Sequence, residues 1–200
     1  MAGLYVHIPF CASRCFYCDF YSSTSLRWKA DYIDALRREL ILRREYLKNE
    51  PIRTVYFGGG TPSLLSADDF KSVFDTIYDN FKCEVEEVTM EANPEDMASR
   101  YIKELRTLPF DRISLGVQSF HDSDLRMINR RHSAQRAIDV VRNLQDEEFE
   151  NIKHIGKTVF AYSVYPFTDI FFFCMNIPVV VLHRGSAASL ENRNVRLWLY

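Results

Sequence analysis

Four short strand-like runs recur along this chain, and each gives way to a polar or glycine-bearing loop and then to helical patterning. Leu4 to Pro9, Arg53 to Phe57, Glu87 to Glu91 and Arg112 to Val117 read as strands. Residues 26–48 read as a long amphipathic helix, with Tyr32, Leu36 and Leu40 on one stripe and Ile33 beside it. Glu39 and Arg43 add an i,i+4 pair on its polar side. Ser66 is placed to cap a second helix reaching about Tyr78, with Asp69 in its first turn. A short helix from Met97 to Leu105 and two helical stretches near 121–128 and 133–146 complete the pattern. Strand and helix alternating in this way predict a parallel sheet with helices packed outside it. The expected fold class is α/β: a partial (β/α) barrel of about four βα units, with an atypical C-terminal tail.

In such barrels functional groups gather at the C-terminal ends of the strands. The unusual residues of this chain lie there. Cys11, Cys15 and Cys18 follow the first strand in a Cys-x-x-x-Cys-x-x-Cys run, which holds three of the five cysteines. Gly58-Gly59-Gly60-Thr61-Pro62-Ser63 follows the second strand, Glu91 ends the third, and Gln118 follows the fourth. Three closely spaced thiolates can hold three irons of a cubane [4Fe-4S] cluster and leave the fourth iron open to a small molecule. Disulfides are disfavoured by the odd number of thiols and by the lack of a secretion-like segment at Met1-Ala2-Gly3. Structural zinc is the serious rival. It usually asks for four ligands, with His7 or Cys83 as candidates for the fourth. Use of an iron–sulfur cluster implies a reducing, intracellular compartment, so a cytoplasmic location is expected.

The other strand-end residues each have a plainer reading. The glycines admit a ligand close to the backbone, or simply make a tight turn. Glu91 accepts from an ammonium group or ribose hydroxyls, or is an ordinary salt-bridged carboxylate. Gln118 both donates and accepts. Arg130 can grip a carboxylate with two prongs, or lie on the surface as its neighbour Arg131 does. His132 by itself reads as a surface or capping residue.

Composition bounds the rest. Two hundred residues suit one domain, or one domain and a tail, and 47% hydrophobic residues suffice for a substantial core. A net charge of −2 gives no electrostatic reason to expect a nucleic-acid partner. Much of the aromatic excess, 15 Phe and 11 Tyr in all, lies after residue 158.

Taken together these residues resemble the radical S-adenosylmethionine (SAM) superfamily, whose signature is the Cys-x-x-x-Cys-x-x-Cys loop. Tyr5-Val6-His7-Ile8-Pro9-Phe10-Cys11, Phe57-Gly58-Gly59-Gly60-Thr61-Pro62-Ser63, Glu91-Ala92-Asn93-Pro94 and Gly116-Val117-Gln118-Ser119-Phe120 resemble the oxygen-independent coproporphyrinogen III oxidase family. The likeness covers roughly residues 3–152. It implies a barrel of the radical SAM type, with Cys11, Cys15 and Cys18 as cluster ligands. It further implies SAM contacts at Tyr5, Tyr17, Gly59, Gly60, Thr61, Glu91, Gln118 and Arg130. In that family SAM chelates the open iron, and electron transfer breaks a carbon–sulfur bond. The resulting alkyl radical would need a shielded chamber.

The family has two main branches. The oxidases decarboxylate coproporphyrinogen III, carry a further cysteine where this chain has Phe20, and have an N-terminal extension. Both departures point to the HemW branch of heme chaperones. The expected function is therefore [4Fe-4S] and SAM binding in heme handling, with heme and a heme-accepting protein as partners. The alternatives are coproporphyrinogen III dehydrogenase activity and an inactive fragment.

The likeness ends abruptly. A fifth-strand aspartate and the His-Asn-x-x-Tyr-Trp heme motif of the HemW branch are absent, and Glu148 stands where the family usually has glycine. The expected division is a radical SAM core over 1–152 and a non-family tail over 153–200. Residues 158–182 hold Asp169 as their one charge, long enough to span a bilayer but interrupted by Pro166 and Pro178. A membrane role is not expected of the core and stays open for the tail, which is read as out of register with an ancestral gene. A half barrel is further expected to expose both edges of its sheet.

Overall fold

A computed structural model describes residues 2–149, 151–154 and 180–184. Strands β1 (Ala2–Ile8), β2 (Ile52–Gly59), β3 (Cys83–Ala92), β4 (Arg112–Leu115) and β5 (Asn151–His154) run parallel. With β6 (Val180–Arg184) they form a six-stranded sheet in the order β5-β4-β3-β2-β1-β6. Helices α1 (Lys29–Leu42), α2 (Ala67–Asn80), α3 (Ser99–Leu105), and α4 (Asp122–Met127) with α5 (Ala134–Asp146) make the crossovers. The four βα units expected from the sequence are present, in the order expected.

Period-2 alternation sorts the strands into two faces. Leu4, Val6 and Ile8, Val55 and Phe57, Val88, Met90 and Ala92, and Ile113 and Leu115 all belong to the buried core. They meet the stripes of the helices: Ile33, Leu36 and Leu40 of α1, Phe70, Val73, Phe74 and Ile77 of α2, Ile102 and Leu105 of α3, and Ala137, Val140 and Leu144 of α5. At the centre Phe57 meets Phe70, Phe74 and Phe110 edge-on at 5.2, 5.3 and 5.7 Å, a geometry that aromatic quadrupoles favour. The opposite face carries Tyr5, His7, Tyr56, Thr89, Glu91, Arg112 and Ser114. That polar face leads up to the strand ends, so the sheet separates a stabilising side from a side available for chemistry.

Four departures from the sequence expectations bear on the sheet and its connections. The first helix stops at Leu42 instead of running to 48, because a 3-10 turn follows over Arg44–Leu47 and Lys48 and Asn49 take left-handed φ values of 48° and 65°. The fourth strand ends at Leu115, before Gln118 with its φ of 68°. Asn151–His154 pairs in parallel with β4, so a fifth strand begins where the family likeness was read as ending. Finally, β6 (Val180–Arg184) pairs antiparallel with β1 from Ala2↔Arg184 to Val6↔Val180. One of the two edges expected to be bare is therefore covered. The remainder of the apolar stretch 158–182, apart from residues 180–182, lies outside the described residues. No helix among the described residues is long and apolar enough to cross a membrane.

Candidate functional site

The loop after β1 folds over the C-terminal ends of β1 to β4. It is held by Cys11 N–H to Ser23 O at 3.0 Å, Ser23 N–H to Pro9 O at 2.6 Å and Cys18 N–H to Cys15 O at 3.1 Å. A cleft of about 160 Å³ opens between this loop and the strand ends. Cys11, Cys15, Cys18, Tyr17, Gly59, Gly60, Thr61, Glu91, Gln118 and Arg130 all line it. Ten of the eleven residues singled out from the sequence thus share one cleft. Tyr5 stands one row lower on β1, with its ring 5.9 Å from that of Tyr56 and its hydroxyl 3.2 Å from His7 Nδ1.

The thiols meet donors. Thr61 Oγ1 donates to Cys11 Sγ at 3.5 Å, and Arg130 Nη1 donates to Cys15 Sγ at 3.3 Å. Burial pushes the Cys18 thiol up, and its neighbours Cys11 and Cys15 add to that shift. Burial also raises the Tyr17 phenol, against the pull of Arg130. Cys83 opens β3 at the far end of the sheet, away from the other three.

Two glycines have a visible structural cause. A Cβ on Gly60 would stand 2.7 Å from Phe10 O and 2.8 Å from Ile8 O, and the Gly60 N–H donates to Ile8 O at 2.7 Å. Gly59 has φ +108°, and a Cβ there would strike the His7 ring at 2.5 Å. The run therefore lets the backbone entering the cysteine loop pass close over β2. His7 packs and bonds within the fold, facing Tyr21 O at 3.3 Å through Nε2, and burial lowers its pKa.

Glu91 accepts from Tyr56 Oη at 2.6 Å and from the Gly59 N–H at 3.2 Å. Burial nevertheless holds its pKa above the ordinary value, outweighing both bonds. Arg130 is not a surface residue, for its side chain is 5% exposed. Besides Cys15 it donates through Nη2 to Asn93 Oδ1 at 2.7 Å and Gly116 O at 2.6 Å. His132 is a correction to the surface reading: its side chain is 0% exposed, with Nδ1 3.1 Å from Glu95 Oε2 and Nε2 3.1 Å from Val117 O. Burial works against the Glu95 carboxylate, but His132 and Arg130 outweigh it and hold its pKa low.

Sequence reasoning missed Tyr56, Glu95, Asn93 and Gly116 as parts of the site. A signal existed for each. Tyr56 precedes Gly58 by two on the same strand face, Asn93 and Glu95 flank Pro94 just after Glu91, and Gly116 is two before Gln118.

Three buried polar atoms in the cleft walls, Ser22 Oγ, Gln118 Oε1 and Arg130 Nε, have no protein partner among the described residues. Leaving such groups unmatched costs about 1–3 kcal/mol each, so the walls suit a polar ligand. Among the described residues no three His, Cys, Asp or Glu side chains converge on a single metal position. Structural zinc needs four ligands about one ion. A cubane cluster asks for something else, since each of its cysteines binds a different iron.

Comparison with known proteins gives a consistent result. The model of the radical SAM superfamily matches residues 5–168. The chain is 42% identical over 149 residues to heme chaperone HemW of Lactococcus lactis subsp. lactis (strain IL1403), covering 74% of this chain and 38% of that protein. It is 36% identical over 139 residues to heme chaperone HemW of Escherichia coli (strain K12), covering 68% and 36% respectively. Among solved structures, coproporphyrinogen III oxidase HemN from Escherichia coli, described as a radical SAM enzyme, superposes with a TM-score of 0.68. That pair is 27% identical, over 75% of this chain and 35% of HemN. The chain therefore spans well under half the length of the relatives it matches.

Proposed function

The chain belongs to the radical SAM superfamily, and from that premise we propose that it binds a [4Fe-4S] cluster and SAM in heme handling, as a HemW-like heme chaperone. Cys11, Cys15 and Cys18 hold the cluster. Tyr17, Gly59, Gly60, Thr61, Glu91, Gln118 and Arg130 line the place for SAM, and Tyr5 supports it from the row below through Tyr56 and His7. When bound, the cluster supplies an electron and SAM the carbon–sulfur bond that the family's chemistry breaks.

The observation that carries the reading is the pairing of cysteine sulfurs with donors from two other strand ends, Thr61 after β2 and Arg130 after β4. Such donors stabilise thiolates, the form that binds metal. The chain's own residues then orient the ligand. The unmatched Gln118 Oε1 accepts from it, and the unmatched Arg130 Nε donates to it. Glu91 offers its remaining lone pairs to an ammonium or hydroxyl group.

The heme part of the proposal is supported by the HemW relatives and by Phe20 at the position of the oxidases' further cysteine. Phe20 lines the cleft and is 59% exposed. The test is made on the anaerobically reconstituted chain. Calorimetry should show SAM binding that depends on the cluster, and heme titration should give a saturable change in the Soret band. Turnover of coproporphyrinogen III without heme binding would replace the chaperone reading with the oxidase one.

A further inference from the structure

Arg130 sits where a guanidinium is costly. Its side chain is nearly buried, and a buried cation needs a counter-charge. The carboxylate paired with it is Glu95, with Oε2 3.8 Å from Nη2. That is an ion pair without a hydrogen bond, added to the bonds that Nη2 donates to Asn93 Oδ1 at 2.7 Å and Gly116 O at 2.6 Å. The same Oε2 is held by His132 Nδ1 at 3.1 Å, and the other ring nitrogen is fixed on Val117 O, one residue before Gln118.

The segment that carries Arg130 and His132 also clamps the cysteine loop. Phe16 N–H donates to Ile128 O at 3.2 Å, Asn129 Nδ2 donates to Arg14 O at 2.6 Å, and Arg130 Nη1 reaches Cys15 Sγ. Three bonds from residues 128–130 thus fix the loop, and His132 pins the other end of the segment to β4's exit and to Glu95.

We propose that Glu95 and His132 are positioning residues that hold the Arg130 guanidinium on the Cys15 sulfur and so set the reduction potential of a cluster bound by this loop. The inference rests on the cluster reading given above. A cationic donor at a ligating sulfur stabilises the more negative, reduced cluster and raises its potential. Losing the guanidinium from that place lowers it.

The sign separates positioning from charge. Glu95 is itself an anion near the cluster. If it acted only through its charge, Glu95→Gln would raise the potential. If it positions Arg130, Glu95→Gln lowers it, in the same direction as Arg130→Gln. The double variant then moves no further than Arg130→Gln alone, because both changes act through one contact.

The experiment is an EPR-monitored redox titration of the full chain after anaerobic reconstitution. It compares wild type, Glu95→Gln, Arg130→Gln, the double variant and His132→Gln, with circular dichroism to show that each is folded. The expected result is a negative shift in all three single variants and no additivity in the double. A positive shift or none in Glu95→Gln, or additive shifts in the double, overturns the positioning role. Should His132→Gln not fold, the near-isosteric Glu95→Gln decides by itself. A wild-type chain that takes up no cluster overturns the cluster reading and this inference with it, a result distinct from a cluster whose potential moves the wrong way.

Discussion

Glu91 is held by two groups of β2, the Tyr56 hydroxyl and the Gly59 N–H. Its place at a strand end was legible from the sequence, because period-2 alternation puts it on the polar face. Its electrostatic state was not, since that depends on Tyr56 and Gly59, which meet it only across the sheet. The raised pKa has a consequence for stability. Its folded value exceeds the ordinary 4.5, so the folded chain binds the proton more tightly than the unfolded one. The carboxyl then costs nothing below the unfolded value, and its penalty grows as pH rises toward the folded value. Glu91→Gln should therefore raise the urea midpoint of the cluster-free chain at pH 7, with the gain shrinking as pH falls toward 4.5. The same variant should weaken SAM binding by calorimetry. His132 was misread for a related reason: nothing local in Arg131-His132-Ser133 announces partners at residues 95 and 117.

At the scale of elements, local signals served best where they are chemically complete. Ser66 and Asp69 form a reciprocal capping box, with Asp69 N–H to Ser66 Oγ at 3.2 Å and Ser66 N–H to Asp69 Oδ2 at 2.9 Å. Ser66→Ala should cost about 1 kcal/mol in chemical denaturation. The end of α5 carries strain instead. Phe149 N–H returns to Leu144 O at 2.9 Å, which places Glu148 at the left-handed position with φ 61°. That position favours glycine. Glu148→Gly should stabilise the fold by about 0.5–1 kcal/mol, the relief of strain exceeding glycine's entropic cost. The pairing of β6 with β1 could not be read from the sequence, because it joins residues some 180 positions apart. Deleting 180–184 should leave the N–H and C=O groups on that edge of β1 unpaired and increase self-association in sedimentation.

For the whole molecule, two faces of one sheet divide the labour. Apolar residues and aromatic contacts with the helices stabilise the fold, while the polar face and the strand ends assemble the cleft. The cysteine spacing and the strand–helix alternation together made this arrangement legible, because a parallel sheet places successive strand ends on one side. The family match running to residue 168 and the fifth strand extend the likeness past the point where motif reading ended. The chemistry of the cleft depends on whether Cys11, Cys15 and Cys18 hold a cluster. Anaerobic reconstitution with iron and sulfide, followed by iron analysis and EPR of the dithionite-reduced chain, measures this directly. The wild type should hold about four irons per chain with a reduced-cluster signal, and Cys15→Ser should lose most of both. Equal iron in the two proteins, with no cluster signal in either, would contradict it.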